Sequence, residues 1–161
     1  MSDNYLRIIP ADENLVPSDE VVAQVLELIA PAFAGADEIL SKRHRHPVFI
    51  DPGEGLLVVL CPACDARLPL RAPAAPAAVR EWWSLLAGDL ARKGAGDVRA
   101  TMPCCRKLVP FSRLRFDAPA GVAAFEISIL NPPLAQPPSP EVQEQLAAVL
   151  GCPVRFVWAR Y

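Results

Sequence analysis

Eighteen prolines in 161 residues constrain this chain more than any other feature. Proline lacks the amide hydrogen that a helix or sheet interior needs, so it falls at helix starts, turns and sheet edges. The elements must therefore be short and their ends readable. Pro17-Ser18-Asp19-Glu20 opens a helix: Ser18 can cap it and two acids face its positive end. Val22, Val25, Leu26, Ile29 and Phe33 recur at helical spacing, which predicts a helix over 18–33, broken near Pro31 and ended by Gly35. Residues 36–41 read as a further short helix. Val79, Trp82, Trp83, Leu86 and Leu90 form one broad apolar face of a helix over 77–93 that stops at Gly94, with both tryptophans packed in the core. Ser139 caps a third helix over 140–150, with Pro140 at its first position and Gly151 beyond its end.

Strands are expected where apolar and polar residues alternate or short apolar runs meet turn residues. Residues 47–50 and 56–60 flank Asp51-Pro52-Gly53-Glu54-Gly55 and read as a β-hairpin. Arg113–Phe116 alternates, as does Phe125-Glu126-Ile127-Ser128-Ile129, which puts Glu126 on a wet face. Residues 122–130 and 154–160 are expected as neighbouring strands with the helix 140–150 across them. The proline-rich stretches 69–76 and 131–140 read as a stiff linker and an extended connection, and no internal repeat stands out. Helices and strands do not alternate as in a doubly wound sheet. The expectation is a single α+β domain over 1–161, with an antiparallel sheet, about three helices and a zinc-ribbon-like subregion at about 56–110.

The net charge of −2 hides a strong asymmetry. Residues 1–40 hold one base, Arg7, and eight acids, whereas residues 65–116 hold ten bases and four acids. Such halves attract each other within a fold or offer faces to charged partners; internal attraction is the expectation. The first fourteen residues lack a basic segment followed by an apolar one, and no apolar run is long enough to cross a bilayer. A cytoplasmic protein without a membrane partner is expected.

Five cysteines, an odd number in a reducing compartment, point to metal or catalysis rather than a disulfide framework. Cys61-Pro62-Ala63-Cys64 places two sulfurs on one side of a tight turn. Cys104-Cys105 supplies a second pair, and both of its members can ligate only if the chain turns between them. Four thiolates would close a tetrahedral zinc site with no open position, hence structural rather than catalytic. Zinc is favoured over a thioredoxin-like redox pair because no helix follows Cys64 to lower a thiol pKa. His44 and His46 have a spacing that can chelate from a strand. Their basic neighbours Lys42, Arg43 and Arg45 oppose a cation, so the segment reads as a solvated basic loop. Cys152, between Gly151 and Pro153, reads as a small buried hydrophobe.

Cys61-Pro62-Ala63-Cys64, followed by Asp65 and Leu68, resembles the first knuckle of zinc-ribbon proteins. Glycine is usual in the place of Asp65, and Met102-Pro103-Cys104-Cys105-Arg106 replaces the usual second C-x-x-C. The chain as a whole, through 101–105 and 119–132, also resembles small bacterial proteins, a likeness that carries no activity with it. No phosphate-binding loop, dinucleotide fingerprint or H-E-x-x-H is present. The expected function is a non-enzymatic protein-interaction module, an adaptor or an immunity-like neutraliser, stabilised by one Zn²⁺ on Cys61, Cys64, Cys104 and Cys105. The alternative is a zinc-ribbon protein that binds nucleic acid through Arg67, Arg71, Arg99, Arg106, Lys107, Arg113 and Arg115.

Overall fold

The computed structural model describes residues 3–133 and 136–161. Residues 1–2, at the start of the chain, and 134–135, inside the expected extended connection, lie outside the described residues. In chain order the elements are β1 (Asn4–Pro10), α1 (Asp19–Ile29), β2 (Glu38–Ile50), β3 (Val58–Leu60), β4 (Arg67–Pro69), α2 (Ala77–Lys93), β5 (Arg99–Thr101), β6 (Leu108–Pro110), β7 (Arg115–Phe116), β8 (Gly121–Leu130), α3 (Pro140–Leu150) and β9 (Val154–Arg160). They form a single α+β domain with two lobes.

The sheet lobe is a four-stranded antiparallel sheet in the order β2-β8-β1-β9. The strands β8 and β9 are not neighbours, contrary to the sequence expectation. The N-terminal strand β1, which the sequence reading left unassigned, lies between them, antiparallel to both. They therefore run parallel to each other, joined through α3. One face of the sheet is covered by α1 and α3: Leu6, Ile8, Phe125, Ile127 and Ile129 pack on Val25, Ile29 and Leu146, all nearly inaccessible to water. Ser18 and Ser139 each accept a hydrogen bond from the third amide beyond them, Val21 and Val142, as their cap positions require. The first helix stops at Ile29, short of Phe33. Its last apolar contacts are made from the following turn, which Gly35 closes with φ +102°.

Two expectations fail in the same segment. Residues 38–46 are neither helix nor loop; mostly exposed, they form with 47–50 the strand β2, the long edge strand paired with β8. Between Arg43↔Phe125 and Val48↔Ala123 the register shifts, so residues 44–47 bulge out opposite Ala124 alone. Pro47, which has no amide to donate, sits inside this bulge. Residues 47–60 form no hairpin either, because Val48–Ile50 pairs with β8 and Val58–Leu60 with β4 and β7. Strand character is legible locally, whereas the partner is set by tertiary packing.

The knuckle lobe comprises β3 to β7 and α2. Its strands are two or three residues long. They form one sheet in the order β4-β3-β7 and a separate hairpin of β5 and β6. Val59, Leu68, Leu86, Met102 and Phe111 fill its core, with Trp82 and Trp83 packed against it as expected. Phe49 of β2 enters this lobe and meets Phe111, Phe116 and Trp83 at ring-centroid distances of 5.0, 5.3 and 6.2 Å. These edge and tilted contacts tie the lobes together. The chain also closes tightly at Gly94, where a Cβ would stand 2.8 Å from His46 Nδ1. The amide of the next residue, Ala95, donates to the Pro47 carbonyl at 2.7 Å.

Candidate metal centre

Two hairpins of the knuckle lobe end in turns with the same hydrogen bonding. In the first, the Asp65 amide donates to the Cys61 carbonyl at 2.9 Å and the Cys61 amide to the Ala66 carbonyl at 2.9 Å. In the second, the Arg106 amide donates to the Met102 carbonyl at 2.8 Å and the Met102 amide to the Lys107 carbonyl at 2.9 Å. The residue after each turn is left-handed: Asp65 has φ 58° and Arg106 has φ 60°. Neither is glycine, and aspartate takes this conformation more readily than arginine. The Arg115 guanidinium of β7 donates to the Asp65 carboxylate and, at 3.3 Å, to the Cys61 carbonyl, pinning the first turn.

The turns make 58–70 and 99–111 a structural repeat, which the sequence reading missed. Cys61-Pro62-Ala63-Cys64-Asp65 superposes in pattern on Met102-Pro103-Cys104-Cys105-Arg106. Where the first turn has Cys61, the second has Met102, fully buried in the core. The lost thiol reappears two residues later as Cys104, opposite Ala63. Matching the shared prolines, rather than the cysteines, was the signal that exposes the repeat.

Cys61, Cys64, Cys104 and Cys105 are brought together, with all four sulfurs within 4.8 Å of one another. Two cross-hairpin pairs are closer: Cys61 to Cys105 at 3.8 Å and Cys64 to Cys104 at 3.5 Å. A tetrahedron with metal–sulfur bonds of about 2.3 Å has edges of about 3.8 Å. The chain therefore turns between Cys104 and Cys105 far enough for both thiols to join, and the cluster can hold a metal ion. It is anchored on the inside and open on the outside: Cys61 is buried, Cys105 half-buried, Cys64 and Cys104 exposed.

Burial alone would raise the Cys61 pKa, but the Ala63 and Cys64 amides and the Cys104 and Cys64 thiols donate to its sulfur and bring it down to about 7. Cys104 is pushed up to about 12 by desolvation and by its proximity to Cys64 and to the Cys61 thiolate. A thiolate thus forms first at the buried corner, ready for a cation, while Cys104 holds its proton until a cation displaces it.

The other marked residues lie elsewhere. Cys152 is half-buried beyond α3 and outside the cluster. The imidazole of His44 lies 3.2 Å from Glu126 through Nε2, and His46 lies beside Gly94; both sit in β2 rather than a loop, while Lys42, Arg43, Arg45 and His46 are solvent-exposed as expected. Glu126, expected on a wet face, has a side chain only 4% exposed. It also faces Arg7 Nε at 3.6 Å, and Arg7 itself lies over the rings of Tyr5 and Tyr161 at 5.7 and 5.6 Å. The near-continuous apolar run Val122–Leu130 is the pattern of a strand buried on both faces, and it could have placed Glu126 inside. The charge asymmetry is not expressed as direct ion pairs between the two segments. Among the described residues, no ion pair joins the acids of 1–40 to the bases of 65–116; Asp19 pairs with Arg43, and Arg115 with Asp65.

Among the described residues no helix is long and apolar enough to cross a membrane. No protein-family model matches the chain, and no curated protein and no solved structure is significantly similar to it.

Proposed function

We propose that the chain is a non-enzymatic protein-binding module, an adaptor or an immunity-like neutraliser, whose knuckle lobe is held by one structural Zn²⁺ on Cys61, Cys64, Cys104 and Cys105. Four thiolates favour zinc or an iron–sulfur group over the hard cations, and a closed S₄ tetrahedron leaves no position for a substrate. Zinc needs no redox partner and suits the two-turn arrangement. The formal charge of such a centre, −2, is offset by nearby Arg67, Arg106 and Lys107, which gives those bases a use other than phosphate binding.

The observation that carries the binding role is the outer face of the helical layer. Packed side by side, α1 and α3 expose Asp19, Glu20, Glu27, Glu141 and Glu144 and contain no base. Among the described residues only Asp19 has an ion-pair partner there, Arg43. An unneutralised acidic surface of this kind steers and orients a basic protein partner.

Metal analysis of protein expressed without added zinc tests the first half, with one equivalent of zinc expected. Less than half an equivalent, together with four freely titratable thiols, would refute it. The binding half is tested by comparing two charge variants at physiological salt. Capture of a basic protein partner should be lost in E20K/E27K/E144K and kept in R106Q/K107Q/R113Q. Sub-micromolar nucleic-acid affinity that falls steeply with salt and disappears in the second variant would establish the nucleic-acid alternative instead.

A further inference from the structure

Between the lobes lies a cavity of about 740 Å³. Most small-molecule sites fall within roughly 300–1,000 Å³. Its wall is apolar and comes from both lobes: Phe49 from β2, Trp83 and Leu90 from α2. Its polar end is built by the connection after β2 and by the end of β9, with Asp51, Glu54 and Tyr161. The Asp51 carboxylate is fixed in place, accepting from the Gly53 amide at 2.6 Å and from the Tyr161 hydroxyl at 3.3 Å.

The charge at this end is unbalanced. Among the described residues neither Asp51 nor Glu54 has an ion-pair partner. Arg71 also borders the cavity; it donates to the Gly53 carbonyl at 3.1 Å and the Leu56 carbonyl at 3.4 Å, neutral acceptors that hold it in place and leave its charge, so two carboxylates stand against one guanidinium. Arg7, beyond the Tyr161 ring, is matched by Glu126. The net negative charge left at one end of an aromatic-walled cavity disfavours an anion and gains nothing from a neutral hydrocarbon. It complements a cation whose remaining surface is apolar.

We propose that this cavity binds a small arylalkyl amine, with its aromatic body against Trp83, Phe49 and Leu90 and its ammonium between Asp51 and Glu54. The test is calorimetric titration of the zinc-loaded full chain with tryptamine, indole-3-acetate and indole, which share a ring system and differ in charge. Tryptamine should bind at least tenfold more tightly than indole-3-acetate. D51N, which retains the acceptor oxygen, and E54Q, at a side chain that makes no hydrogen bond among the described residues, should each weaken tryptamine about tenfold and leave indole unchanged. L90W should fill the cavity and abolish binding of all three at unchanged zinc content; should it fail to fold, E54Q still decides. Absence of tryptamine binding at millimolar concentration, indole-3-acetate binding as tight as tryptamine, or indifference of tryptamine to both charge variants would overturn the proposal.

Discussion

The two lobes solve the same problem by different means. In the sheet lobe, strands of seven to thirteen residues share long ladders, and two helices bury one face completely. In the knuckle lobe no strand exceeds three residues, and its two hairpins share no ladder. Ladders that short do little to fix the relative position of two hairpins, which is left to the shared core of Val59, Leu68, Met102 and Phe111 and to a cross-link at their tips. A metal on the thiol cluster would do this with four side chains.

The largest effect should come from breaking the cross-link. C61S removes the buried corner of the cluster. It should abolish zinc retention and destabilise the protein by several kcal/mol, on the order of a third or more of a small domain's stability. Hydrogen exchange should localise the damage: amides of 58–70 and 99–111 lose protection while those of β1 and β8 keep theirs. Equal loss in both lobes would mean that the metal supports the whole domain.

The sheet lobe has its own vulnerable point. E126A leaves the Arg7 guanidinium facing a vacancy beneath the strands and should cost about 3 kcal/mol in chemical denaturation, near the lower end for breaking a buried ion pair. Zinc content should stay at one equivalent. Next is the seam between the lobes. G94A forces a side chain into φ 74°, ψ 172° and against His46, a backbone region almost confined to glycine, at about 2 kcal/mol. S18A, which removes one helix cap, should lower stability by only about 1 kcal/mol.

A pH series sharpens the comparison without any substitution. Metal uptake requires thiolates, so protonation opposes it. With Cys61 titrating at about 7 and Cys104 at about 12, apparent zinc affinity should rise with pH across neutrality and fall as pH drops below 7. At neutral pH binding must expel at least the Cys104 proton, which calorimetry in buffers of different ionisation enthalpy would count. The sheet lobe should be indifferent to the metal over the same range.

Legibility in the sequence followed the same division. Helices were readable because capping and periodicity are local: Ser18, Ser139, Gly94 and Gly151 mark ends that the structure places within a residue or two, except where α1 stops at Ile29. The strands at 122–130 and 154–160 were also readable from their own composition. Partners were not, since the pairing of Ile50 with Gly121 depends on a residue seventy positions away. All four clustered cysteines were identifiable from spacing, because a turn that brings two sulfurs together needs few residues. Arg115 was not singled out as the residue that clamps the first turn, because its role exists only after β7 has docked on β3. Nor was the Glu126 cluster, whose members Arg7, His44 and Tyr161 come from three other segments.

The pairing of Ile50 with Gly121 has a consequence for chain entropy. Topologically, β2 and β8 are the two arms of one β-hairpin, and the whole knuckle lobe is its loop. Closing a structureless loop of roughly 70 residues costs only about 2.5 kcal/mol more than closing one of four, because the penalty grows with the logarithm of length. If the loop melts, the arms bear that modest sum together with the loss of the contacts that Phe49 and Val122 make with the knuckle core. A metal held by Cys61, Cys64, Cys104 and Cys105 would then govern a part that can melt as a tethered coil, while the acidic helices stay on a sheet whose four strands lie outside that loop.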